Sequence, residues 1–281
     1  MFFLLLAIVS SALISIIMRL SSDKIHADRS MLAMNYFVCA LLGVKYTEFQ
    51  LWPASEQGFT VVFGLGVVCG ILYLAGFVLL QANIQKNGVV LSAIFMKLGL
   101  LVPIVMSIVL FGELPTYLQT GGVVIAIVAI IAINYQKGAS VSKFSMGLIF
   151  LLLVGGSADV MAKIFEQYGN TALSDLFLFY TFAVALVLCI GIVIWKKEKP
   201  GKSEIIYGAI IGIPNFFASK FLIAALRDVP AVIAYPTYSV ASLLIVTLIG
   251  VLFFKEKLSK RQWISLAAIL VAIVLMNVSV S

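Results

Sequence analysis

From Leu176 to Trp195 the chain reads LFLFYTFAVALVLCIGIVIW, twenty positions without one charged side chain. A helix needs about 20 such residues to cross the hydrocarbon core of a bilayer, because each contributes about 1.5 Å of rise. Inside that core every backbone N–H and C=O must be satisfied within the segment, so a helix is the structure such a run can adopt. The run is one of ten apolar segments: 1–20, 30–46, 59–81, 88–111, 117–135, 145–167, 172–195, 205–226, 231–254 and 261–279. Segment 30–46 is the shortest. Hydrophobic residues make up 63% of the 281 positions and charged residues 11%, far from the near-half and quarter of soluble domains. The expectation is an all-α integral membrane protein with little chain outside the bilayer.

The polar residues reveal a repeat. Displacing the sequence by 143 residues places Glu113 on Glu256, Thr116 on Ser259, Gln119 on Gln262, Phe111 on Phe254 and Asn134 on Asn277. A shift of 142 places Gly66 and Gly70 on Gly208 and Gly212, two small-xxx-small steps that let helix backbones approach closely. A shift of 144 places Ser15, Arg19 and Ser22 on Asp159, Lys163 and Glu166, Ala12 on Gly156, and Tyr36 on Tyr180. The expectation is two five-helix repeats, residues 1–135 and 145–281, joined by a linker at 136–144. Five is odd, so the copies lie in opposite senses across the bilayer. Inverted-topology repeats are a recurring design of secondary transporters, with the substrate site near the midplane.

Basic residues set the orientation. Fourteen lie in or beside the loops after segments 1, 3, 5, 7 and 9, against Lys45 and Arg227 on the opposite side. The positive-inside rule makes the first set cytoplasmic and leaves both termini outside, in the cell membrane. The net charge of +7 is absorbed this way and calls for no nucleic-acid partner.

Two matching turns, VLFGELPTYLQTGG and LFFKEKLSKRQWIS, join the fourth segment of each half to its fifth. TYLQ and SKRQ both fit the capping box, in which a hydroxyl caps the first free N–H groups of a helix and Gln reaches back. Glu113, beside the turn proline Pro115, reads as a structural turn residue in preference to a proton-coupling acid.

These paired stretches, GELPTYLQTGG and KEKLSKRQWIS, each leading into the last span of a repeat, resemble those of the ten-helix EamA-like family of the drug/metabolite transporter superfamily. The stretch AALRDVPAVIAYPTYSVASLLIVTLIGVLFFKE is also similar to that family. The resemblance spans essentially the whole chain. It implies transport of small organic solutes by alternating access, often export. It departs from the family in lacking a tryptophan in the first segment, and the outside termini differ from the cytoplasmic ones usual there.

Ionisable groups inside a span cost several kcal/mol, which makes each a candidate for function. Lys97 lies near the middle of segment 4. Gly156, Asp159, Lys163 and Glu166 share one face of segment 6, with Asp159 and Lys163 spaced for an i,i+4 pair. In the first repeat the matching positions are Ser15, Arg19 and Ser22, and Arg19 and Lys163 also suit end-of-helix anchoring. Segment 9 carries Tyr235, Tyr238, Ser239 and Ser242 on one face beside Pro236. An interface belt and a binding role both suit Tyr235, whereas Tyr238 and the serines lie deeper. Asn215 follows Pro214, a kink position, and Lys220 lies beyond it; Pro103 marks another flexible point, and Tyr36 and Tyr180 complete the candidates. Arg19, Lys97, Lys163 and Lys220 outnumber Asp159, which favours a carboxylate, a phosphate or a zwitterionic amino acid over a lipophilic cation.

The sequence carries no HExxH, GxSxG or aspartate-rich motif, and its one histidine, His26, lies in a loop, so an enzyme is disfavoured. No ring of like polar residues marks a channel filter. Cys39, Cys69 and Cys189 lie in apolar runs without metal or disulfide spacing. The expected partners are a small solute and the lipid bilayer. No cofactor is expected. Proton or ion coupling, and a monomer or a homodimer, remain open.

Overall fold

The computed structural model describes residues 1–53, 56–134, 146–255 and 258–277. The linker 136–144 with Lys137 and Lys143, and Glu256 and Lys257 of the second turn, lie outside the described residues. Among those described, the secondary structure is entirely helical: α1 (Phe2–Ser21), α2 (Asp28–Tyr46), α3 (Phe59–Asn87), α4 (Val89–Leu98), α5 (Leu101–Phe111), α6 (Tyr117–Asn134), α7 (Met146–Tyr168), α8 (Ser174–Trp195), α9 (Lys202–Leu226), α10 (Ala231–Leu252) and α11 (Lys260–Asn277). A 3-10 turn at Thr171–Leu173 precedes α8. Among the described residues, eight stretches are long and apolar enough to cross a membrane, with Ser92–Phe111 counted as one. The apolar part of α6, Tyr117–Ala132, is shorter, and α2 carries Asp28, Arg29 and Lys45.

Two compact units are present, Met1–Leu74 with Met161–Arg227 and Ala75–Val160 with Asp228–Ser281, so each draws helices from both halves of the sequence. In the first unit α1 packs on α9, and α2 packs on both α8 and α9. Glycines set these approaches. A Cβ at Gly70 of α3 would lie 2.5 Å from the Thr181 carbonyl oxygen of α8; one at Gly208 of α9 would lie 2.5 Å from the Met31 carbonyl oxygen of α2. The two glycine steps found by the 142-residue shift therefore do reciprocal work: the third helix of one half packs on the second helix of the other, in both directions. The core between them is aromatic, with Phe165, Phe177, Phe182 and Phe216 fully buried and Phe165 stacked on Phe177 at 4.4 Å.

The stops of α2 and α8 are also copies of one another. Phe49 N–H reaches back to the Val44 carbonyl at 3.1 Å and Glu198 N–H to the Val193 carbonyl at 3.1 Å. Glu48 N–H bonds the Lys45 carbonyl and Lys197 N–H the Ile194 carbonyl. This is the Schellman pattern, which needs one left-handed residue, usually glycine. Here it is Glu48 in one copy and Lys197 in the other, both at φ +52°, at a cost of about 1–2 kcal/mol each.

In the second unit α6 packs on α11 and α10 on α5. Like α2 with α8, these are helices of one half against their counterparts in the other. Val123, Ala126, Ile130, Ile269, Ala272 and Met276 form this interior. Both capping boxes form as read from the sequence. Thr116 N–H donates to Gln119 Oε1 at 2.8 Å and Gln119 N–H to Thr116 Oγ1 at 3.3 Å. Ser259 and Gln262 repeat the exchange at 2.9 and 3.3 Å. Glu113 accepts from the Val232 N–H at 3.2 Å, supplying α10 with a cap that its own N-cap residue, Pro230, lacks.

Segment 4 departs from expectation. It is two helices, α4 and α5, interrupted at Gly99 and Leu100. Pro103 has no N–H to give the Gly99 carbonyl four residues back. Val102 N–H takes that carbonyl instead at 3.0 Å, and Gly99 N–H bonds Met96 at 3.2 Å, so the chain tightens through i,i+3 bonds before α5 resumes. The break lies four residues before the proline that causes it.

Candidate functional site

The interruption positions the most distinctive polar group of the second unit. Lys97 lies in the last turn of α4, two residues before Gly99, and is half-buried. A cation there meets the partial negative charge of a helix C-terminus. Across from it, α7 approaches as closely as two backbones can. A Cβ at Gly156 would lie 2.3 Å from the Gly99 carbonyl oxygen, and one at Gly99 would lie 3.3 Å from the Gly156 nitrogen. One helical turn beyond Gly156 stands Asp159, half-buried as Lys97 is. A lone charge in an apolar span is costly, whereas opposite charges on facing helices relieve each other in part. Glycine on both sides of the contact is what lets the two helices approach this closely.

Tyr235, on α10, is 2% exposed, and its hydroxyl donates to the backbone carbonyl of Asp159 at 2.5 Å. It ties α10 to α7 at the backbone of Asp159. Of its companions, Ser242 turns its hydroxyl to the Tyr238 carbonyl at 2.6 Å, and Tyr238 and Ser239 are half-buried. The second unit thus holds Lys97, Asp159, Tyr235, Tyr238 and Ser239.

The first unit holds the other six residues singled out from sequence. Lys163 is buried and pairs with Glu166, three residues on, at 2.7 Å. Asn215 donates to Asn35 Oδ1 at 3.2 Å beside the Pro214 position of α9. Tyr36 is buried against Phe182, and Tyr180 donates its hydroxyl to the Leu51 carbonyl while its ring meets Phe63 edge-on at 4.8 Å. Arg19 is exposed at the end of α1. Lys220 bonds Asp175 at 2.6 Å and lies 3.7 Å from the centroid of the Tyr46 ring. Asp175, Tyr46 and Asn35 are partners that sequence reasoning missed. Asp175 carried a signal, as the acid at the head of an otherwise uncharged run.

No group of His, Cys, Asp and Glu suited to a metal ion occurs among the described residues. What the arrangement offers is an interrupted apolar helix with a lysine at the break and an aspartate on the helix packed against it. It defines a multi-pass helical membrane protein with polar groups inside its spans. Residues 144–278 match the model of the EamA-like transporter family, and the chain belongs to that family of the drug/metabolite transporter superfamily. A Proteus mirabilis protein named as a probable 4-amino-4-deoxy-L-arabinose-phosphoundecaprenol flippase subunit, ArnE, is 32% identical over 108 residues, which span 35% of this chain and 95% of that one. An uncharacterized protein of Haemophilus influenzae is 24% identical over 283 residues, covering 96% of this chain and 95% of its own. A solved crystal structure shares the fold with a TM-score of 0.77 at 14% identity, over 98% of this chain and 95% of that one.

Proposed function

We propose that this transporter moves a small polar organic metabolite bearing a carboxylate or phosphate, a zwitterionic amino acid included, across the cytoplasmic membrane by alternating access, as an exporter or exchanger. The observation that carries the reading is Lys97 at the α4–α5 interruption, opposed by Asp159 on α7. Broken helices at membrane depth expose unpaired backbone groups and helix ends where transporters bind charged solutes. The lysine supplies the anion-binding charge, and the aspartate holds it in place or takes the ammonium of a zwitterion. The reciprocal packing of α3 on α8 and α9 on α2 supports ten spans in two inverted repeats. The basic loops support extracytoplasmic termini.

The ArnE likeness favours a second reading, a flippase for a phosphate-bearing lipid-linked sugar. It draws on the same lysine, since a phosphate is also an anion. Thermal-shift measurements on the purified protein, against amino acids, organic acids, sugar phosphates and quaternary amines, test both. A binding solute raises the unfolding temperature by mass action. The expected outcome is stabilisation by an anionic or zwitterionic solute that disappears in Lys97→Gln, with counterflow of that solute in proteoliposomes. Stabilisation and transport currents elicited by quaternary amines alone would refute the assignment. Counterflow absent for every soluble anion, with lipid translocation present, would transfer it to the flippase.

A further inference from the structure

A cavity of about 230 Å³ opens in the first unit, where α2 ends and α8 begins. Three carboxylates line it, Glu48, Glu56 and Asp175, together with the Tyr46 ring. Glu48 is the left-handed residue of the α2 stop, at φ +52°. The Tyr46 ring is fixed from behind: it stacks on Phe216 at 5.6 Å and 15°, and meets Phe217 edge-on at 6.0 Å. Lys220, itself outside the lining, reaches two of these residues. The Lys220 ammonium sits 3.7 Å from the Tyr46 centroid while bonded to Asp175 at 2.6 Å. An ammonium held by a carboxylate and the face of a rigid aromatic ring is the arrangement by which proteins recognise organic cations. One tethered ammonium leaves two of the three wall carboxylates unneutralised by it, so the cavity retains a preference for positive charge.

We infer that this mouth is a binding site for an organic primary ammonium ion, with the Lys220 side chain as its built-in competitor. A primary ammonium replaces the Lys220 head on Asp175 and Tyr46, and Glu48 and Glu56 attract the remainder of a ligand that carries a second cationic end. Anions are repelled by the wall. A quaternary ammonium has no N–H for Asp175. Neither Lys97 nor Asp159 belongs to this unit, so the inference stands apart from the proposed transport site.

Titration calorimetry of the full-length protein in lipid nanodiscs, with 1,4-diaminobutane as the probe and butyrate and tetramethylammonium as controls, tests it. The diamine is expected to bind saturably and the controls not to. Lys220→Met removes the competitor and should tighten diamine binding about tenfold, whereas Asp175→Asn should weaken it by about as much. Tyr46→Phe keeps the aromatic face and should bind like the wild type, and Tyr46→Leu should lose affinity; that pair decides the matter if the Lys220 variant does not fold. Diamine binding no tighter in Lys220→Met, equal affinity in Asp175→Asn, or butyrate binding as well as the diamine would overturn the site. The readout is binding alone, so its failure is separable from failure of the transport reading.

Discussion

Gly155 and Gly156 are neighbours on α7, yet alanine at the two positions should have opposite effects. At Gly156 the added Cβ meets the Gly99 carbonyl oxygen at 2.3 Å and Val102 Cβ at 2.5 Å, where ordinary contact begins at 3.4 Å. The first obstacle is backbone and cannot swing aside, so α7 and the α4–α5 junction must separate by about 1 Å, a gap that forfeits much of the local dispersion energy. Overpacking of this kind costs about 1–3 kcal/mol. At Gly155 a Cβ meets nothing within 4 Å. There alanine only removes the conformational freedom of glycine in a helix, which should stabilise by about 0.5–1 kcal/mol. Thermal unfolding of the two variants in the same detergent micelle, followed by intrinsic fluorescence, compares them directly. Gly156→Ala should melt below the wild type and Gly155→Ala at or above it. If both move in the same direction, or if Gly156→Ala melts with the wild type, the helices are not in the backbone contact described, and the grounds for setting Asp159 against Lys97 fail with it.

Glu113→Gln should lower the melting temperature modestly, by weakening the α10 cap by about 0.5–2 kcal/mol, while leaving the pH dependence of transport unchanged; an altered pH profile with normal stability would make Glu113 a coupling acid. Glu48→Cys and Lys197→Cys, introduced singly after Cys39, Cys69 and Cys189 have been replaced, should react with a membrane-impermeant maleimide from opposite faces of the membrane. Labelling of both from the same face would exclude the inverted arrangement.

Features that depend on neighbours in the chain were legible from the sequence. The apolar runs became helices, and the two capping boxes formed because donor and acceptor stand three residues apart. The glycine steps of α3 and α9 also emerged, since a small-xxx-small pattern fixes which face of a helix approaches another. Partnerships across helices were not legible. Spacing offered Lys163 an i,i+4 pairing with Asp159, and its bond to Glu166 at 2.7 Å went unread. Pro103 was visible as a weak point, but the break falls at Gly99, because a proline withdraws the donor of a carbonyl one turn earlier. Tyr235 carried a hydroxyl stripe in sequence, yet its hydroxyl is spent on a main-chain oxygen of another helix. Lys220 stood out as a cation within a span, but its partner Asp175 lies on another helix 45 residues away.

The twin stops of α2 and α8 separate two properties that are usually entangled. Their backbone bonds need a left-handed residue at one position and place no demand on its side chain. A glutamate and a lysine fill that position with the same φ. The charge that tells a membrane which way to receive a helical hairpin is thus mounted where the fold is indifferent to it. A charge of either sign can therefore change at these positions while the packing of α2 and α8 is kept.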